Sequence, residues 1–91
     1  MKYAVDTTWK HSKPIDWDWM NKFLQESGSE GVTTYWFEID KVRHGSLAIF
    51  QSKEAFESFK ERRDAIRKES ADSGIVMTSE NVGYIKAERS T

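Results

Sequence analysis

The stretch Val32-Thr33-Thr34-Tyr35-Trp36-Phe37-Glu38-Ile39 reads as a β-strand, because β-branched and aromatic residues fill it and such residues suit a pleated, half-buried surface. Strand side chains alternate between two faces. One side here carries Thr33, Tyr35, Phe37 and Ile39, and the other Val32, Thr34, Trp36 and Glu38. Asp40 to Gly45 supplies a turn, and Ser46 to Phe50 returns as the hairpin partner. The period then changes. Ser52 is a good N-cap, with Glu54 in the following turn. Ala55, Phe56, Phe59, Arg63 and Ile66 recur at helical spacing as the buried stripe of a helix ending near Ser70, with Lys60, Arg62, Arg67 and Lys68 on its solvent side.

Upstream of the hairpin, Lys2 to Trp9 alternates, with Tyr3, Val5, Thr7 and Trp9 against Ala4, Asp6 and Thr8, as a strand does. Pro14 closes the loop after it and suits a helix start. Ile15, Trp19, Met20, Phe23 and Leu24 then predict a helix over Ile15–Ser27, with Asp16 and Asp18 at the positive end of its dipole. Gly28 stands where a left-handed C-cap is expected, and Ser27 to Gly31 forms a loop. Trp17 and Trp19 point to different sides of this helix, and Trp19 fits the stripe. Downstream, Ile75–Thr78 and Val82–Ala87 read as strands, or as one long strand broken near Ser79-Glu80-Asn81. The expected order is β-α-β-β-α-β, a single α+β domain over residues 1–91.

The bulk properties exclude several classes. A net charge of −1 offers no long-range attraction to nucleic acid or to an anionic membrane. Without cysteine the chain has no disulfide framework and no thiolate metal site. Met1-Lys2-Tyr3-Ala4-Val5-Asp6 lacks the apolar core of a signal peptide, and no segment approaches the roughly 20 apolar residues of a membrane span. A soluble, cytoplasmic protein is expected, and the residues imply no cofactor.

Two helices on one side of a four-stranded sheet cover one face only. The greasier set, Val5, Tyr35, Phe37, Ile39, Leu47 and Ile49, is expected to face the helices. Ala4, Asp6, Thr8, Thr34, Trp36, Glu38, Ser46, Ala48 and Phe50 then share the open face. Trp36 and Phe50 on a face the helices leave bare call for a cover, which predicts a homodimer through that face.

The segment Leu47-Ala48-Ile49-Phe50-Gln51-Ser52-Lys53-Glu54-Ala55-Phe56, with this element order, resembles the dimeric α+β barrel proteins, including the antibiotic-biosynthesis-monooxygenase-like group. The resemblance implies a ferredoxin-like subunit, sheet-on-sheet pairing and a cavity for a small organic ligand. Cofactor-free oxygenases occur in that group beside proteins of no known activity, so it implies a pocket more strongly than a reaction.

The candidate catalytic residues are Asp6, Glu38 and His44; the candidate ligand wall is Trp36, Phe50 and Thr34. A histidine acting as a base needs an orienting partner, which Asp6, Glu38 or Asp40 can supply. His11 and His44 both fall in expected loops, where the plainer reading is a solvated side chain. Their sequence spacing is not that of a metal site. An RNA-recognition domain shares the element order, but its base-stacking aromatics are replaced here by Gly45 and Leu47. Acylphosphatase also shares it, but Thr7-Thr8-Trp9-Lys10 is no phosphate-cradling nest. Two readings remain: a cofactor-free, monooxygenase-like enzyme, or a non-catalytic dimer that binds a ligand or partner.

Overall fold

The computed structural model describes residues 1–28 and 30–90. Its elements are β1 (Tyr3–His11), α1 (Trp17–Ser27), β2 (Val32–Asp40), β3 (Arg43–Phe50), α2 (Lys53–Ser58), α3 (Lys60–Asp72) and β4 (Ile75–Tyr84). The strands form one antiparallel sheet in the order β2-β3-β1-β4. α1 therefore carries the chain from β1 to β2 across β3, and α2 with α3 carries it from β3 to β4 across β1. The result is an α+β domain with its helices against one face of the sheet. Among the described residues no helix is long and apolar enough to cross a membrane.

Local chemistry accounts for most boundaries. Asp16 caps α1 by accepting a hydrogen bond from the Trp19 N–H at 3.1 Å, so the helix starts two residues after the expected Ile15. Ser52 caps α2 in the same way through the Ala55 N–H at 3.1 Å. Gly28 leaves α1 in an extended conformation (φ −60°, ψ 147°), not the left-handed one expected. The left-handed turns fall instead on Gly31 and Gly74, with φ of 82° and 83°, a region that favours glycine. Ser29, within the expected Ser27–Gly31 loop, lies outside the described residues.

The expected single second helix is two, broken at Phe59, which ends α2 and opens α3. Its stripe holds: Ala55, Phe56, Phe59, Arg63 and Ile66 are half-buried, and Phe56 and Phe59 meet Phe50 at ring distances of 5.5 and 6.0 Å. Arg67 departs from the solvent side to pair with Glu80 of β4. β4 is one continuous strand. It absorbs an irregularity opposite Thr8 and Trp9, where Thr78 is the extra residue and its hydroxyl donates to the Thr8 carbonyl at 3.1 Å.

The register corrects the expected faces. Val5 stands opposite Ala48 and Thr7 opposite Ser46, while Thr34 and Trp36 pair with the same two β3 residues from the other side. The helix-covered face is thus Tyr3, Val5, Thr7, Trp9 and His11 with Thr34, Trp36, Glu38, His44, Ser46, Ala48 and Phe50. The open face holds Ala4, Asp6 and Thr8 with Tyr35, Phe37, Ile39, Leu47 and Ile49. Choosing the greasier side of the hairpin for the helices inverts it. The helices bring their own bulk in Met20, Phe23, Phe56 and Phe59, which meets small residues beneath. On the open face Phe37 lies over Gly45, its cross-strand partner, where any Cβ would collide with the ring.

Phe59 joins the two helices and rests on Phe50. Truncation of a buried Phe costs about 3 kcal/mol or more. Phe59→Ala is therefore expected to lower the melting temperature by on the order of 10–20 °C, and an unchanged melting curve would refute the packing described.

Candidate functional site

Small side chains on the sheet and large ones on the helices leave a hollow between them. Val5, Thr7, Thr34, Ser46 and Ala48 form its floor, and Met20, Phe23, Phe59 and Ile66 come from the helices. Trp36 and Phe50 line it, and its volume is about 210 Å³. An apolar cavity of about 150 Å³ takes benzene, so this one has room for a substituted ring or two fused rings. Phe23 lies nearly parallel to Trp36 (6.5 Å, 18°) and to Trp19 (5.3 Å, 16°), giving one wall a ladder of flat rings.

His44 closes one end. It is 3% exposed, on β3 rather than in a loop. Its ring is surrounded by Trp9, stacked at 6.1 Å, Trp36 at 5.4 Å and Trp17, edge-on at 6.2 Å. Its Nδ1 is 2.7 Å from Nε2 of His11, a hydrogen bond in which one ring donates and the other accepts. His11 ends β1 and is also buried. Neither ring makes any other hydrogen bond among the described residues. Backbone bonds sew this end of the sheet together: His11 N–H to the Val42 carbonyl at 2.7 Å, Ile15 N–H to Lys41 at 2.8 Å and Ser12 N–H to Gly74 at 2.9 Å.

Burial pushes His44 down to about 4, with the neighbouring His11 adding to the effect, and burial lowers His11 as well. Both imidazoles are neutral at pH 7. Asp40 is no partner for either, because it holds its own turn: it accepts from the Val42 N–H at 3.0 Å and from Arg43 at 2.8 Å, contacts that keep its carboxyl below the usual range. Glu38 stands across from His44 in the register but spends one carboxylate oxygen on the Trp17 indole N–H at 3.1 Å.

Arg62, Arg63 and Arg67 of α3 contribute to the hollow's far wall. Arg62 donates to the Ser27 carbonyl at 2.8 Å, which ties α3 to the end of α1. Arg63 lies over the Phe56 ring, 3.7 Å from its centroid, and donates to the Phe56 carbonyl. Its Nε–H is buried without a partner among the described residues, a costly state for a cationic donor. Burial, then the nearby Arg67, lowers Arg63, against Glu80 and Asp64.

Of the residues singled out from sequence, Trp36, Phe50, Thr34 and His44 come together around one hollow, with Glu38 on the same face. Asp6 does not join them. It is exposed on the opposite face, between Leu47 and Asn81. The expectation that Asp6 and Trp36 share a face is therefore wrong, and Trp36 and Phe50 are no part of a surface for a second subunit. Trp17 is half-buried against His44 and Glu38, while Trp19 stacks on Phe23 at the edge of the hollow and is 49% exposed. Sequence reading missed His11, although the alternation Tyr3-Val5-Thr7-Trp9 continues to it. It also missed Arg63 as part of the cavity wall. Among the described residues no group of three or more His, Asp or Glu side chains is placed to hold a metal ion.

The chain matches no family model, no curated protein and no solved structure.

A neutral buried His44 has a signature in stability. The unfolded chain takes up a proton as pH falls through 6.5, while the folded one resists until about 4. Stability is therefore full above 6.5 and declines toward 4, by at most about 3 kcal/mol. His44→Gln is expected to flatten that part of the melting temperature–pH curve. The carboxylates Glu38 and Asp16 remain in the variant, so the difference between the two curves reports the histidine pair, since His11 loses its hydrogen-bond partner there.

Proposed function

We propose that the protein binds a small, flat, largely apolar organic molecule in the hollow between sheet and helices. The molecule carries an oxygen that accepts from Arg63. The observation behind this reading is an aromatic-walled cavity with the cationic side chain of Arg63 among its lining residues. Ligand sites are typically apolar hollows with a few placed polar groups. Under this reading Trp36 is a wall, Thr34 and Phe50 are floor, and His44 is the polar group at the closed end.

The split β-α-β connections and the strand order support a ferredoxin-like subunit, the form the resemblance to dimeric α+β barrels implies. We extend the proposal to a homodimer through the open sheet face. Tyr35, Phe37 and Ile39 there are 60%, 52% and 48% exposed, and Leu47 and Ile49 lie beside them. A patch of this kind on a sheet flank fits a self-complementary, two-fold contact. Cofactor-free, monooxygenase-like turnover of the bound molecule is the enzymatic form of the proposal, and a non-catalytic binder is its alternative.

Three of the tryptophans, Trp9, Trp19 and Trp36, line the hollow, so phenols, naphthols and quinones that enter are expected to quench fluorescence saturably. Arg63→Met is expected to weaken binding of the oxygenated members about tenfold, the loss of one charged hydrogen bond. No quenching by any compound would reject the cavity reading, and oxygen uptake with a bound compound separates enzyme from binder.

Sedimentation is expected to show a dimer at micromolar concentration. Tyr35→Glu with Ile39→Glu should yield a monomer with unchanged helix content. A monomeric wild type would reject the dimer while leaving the cavity reading intact.

A further inference from the structure

A second hollow adjoins the first and includes His11 in its lining. It has a volume of about 200 Å³ and is lined by His11, Ser12, Lys13, Asp16 and Gly74 among others. His44 lines the inner hollow and not the outer one; His11 lines the outer and not the inner. The 2.7 Å bond between them thus links a strongly apolar hollow to one that also holds Lys13 and Asp16, and Trp19, Met20 and Ile75 line both. We propose that His44 and His11 form a proton relay, through which an acidic O–H of a phenol or enol in the inner hollow is ionised and its proton delivered to the outer one. The proposal rests on the cavity reading above and assigns the chemistry of its closed end.

The step balances without an oxidant or cofactor. The O–H bond of the bound molecule breaks and its proton forms an N–H bond at Nε2 of His44, the ring nitrogen left free by the pair. In the same movement the Nδ1–H of His44 passes to Nε2 of His11. The inner chamber then holds a phenolate or enolate, and the cation sits on His11. Reversal reprotonates the anion, at the same oxygen or at carbon in an enolate. His44 is the catalytic residue; His11 acts through it.

The surroundings suit this separation of charge. Trp9, Trp17 and Trp36 shield His44, so a cation there would be poorly solvated, and burial holds that ring neutral. The charged groups divide between the two hollows. Arg63, with Arg62 and Arg67, stands in the inner wall as countercharge for the anion. Asp16 lines the outer hollow beside His11, as does Lys13. Glu38 faces His44 from β2, tied to Trp17. Arginine side chains in the inner wall favour the anion, and Asp16 in the outer hollow favours the imidazolium against Lys13, which helps a weakly basic histidine take a proton from an acid.

para-Nitrophenol and nitrobenzene test this directly. Both report occupancy by quenching tryptophan, and only the first has a proton to give, visible as the nitrophenolate absorption band. Wild type is expected to bind both and to raise the ionised-to-neutral ratio of bound nitrophenol about tenfold over free solution at the same pH, a shift of about one pKa unit. His44→Gln should bind both and lose that shift. His11→Asn leaves a hydrogen-bond acceptor but no proton acceptor beside His44, and should lose it too. Nitrophenol bound neutral in wild type would overturn the relay while the cavity reading stands. Full ionisation in His11→Asn would overturn the two-histidine path. If neither compound binds, the cavity reading fails and the relay falls with it.

Discussion

The pairing of β1 with β3 governs everything else in this molecule. Tyr3 opposite Phe50, Val5 opposite Ala48, Thr7 opposite Ser46 and Trp9 opposite His44 put one set of side chains under the helices. A slip of one residue in either strand would send Asp6 or Leu47 inward and His44 out to solvent. The same register brings two histidines separated by 33 positions in sequence into hydrogen-bond contact. It also lays small residues along the floor, so that helices bearing large aromatic side chains span a hollow instead of filling it. Core, cavity and buried polar pair all follow from that one alignment.

Most of the element order could be read from the chain because most elements carry their own local signal; the break at Phe59 that splits the second helix could not. Alternation marked β1 and β2, while Asp16 and Ser52 stood at helix starts they do cap. The face assignment could not be read in the same way. Both sides of β2 carry aromatic and β-branched residues, so hydrophobicity does not orient it, and register is a long-range property that alternation within one strand does not contain. The site was legible in part for this reason. Trp36, Thr34, Phe50 and His44 belong together because they lie on directly paired strands with a common parity. Asp6 was drawn in by a parity error between β1 and the hairpin. His11 was lost at a strand end read as loop, three residues before Pro14.

Burying two imidazoles and a guanidinium in a domain of 91 residues runs against stability alone. Small domains have thin margins, and an apolar residue at His44 would avoid the desolvation that holds its ring neutral. The polar groups are distributed between the two hollows, and a local cost of this kind is one that functional sites commonly carry.

Arg63 has a further consequence through the joint at Phe59. Its guanidinium reaches back to the Phe56 carbonyl at the end of α2 while its backbone N–H bonds the Phe59 carbonyl at 2.9 Å. One residue therefore braces the elbow between α2 and α3 and stands in the cavity wall. In the proposed complex a ligand that engages Arg63 would draw on the same side chain that sets the elbow, so filling the chamber and bending the helix pair would be thermodynamically linked. The bend that binds more tightly is the bend an occupant selects, and forcing the elbow from outside alters affinity within by the same free energy.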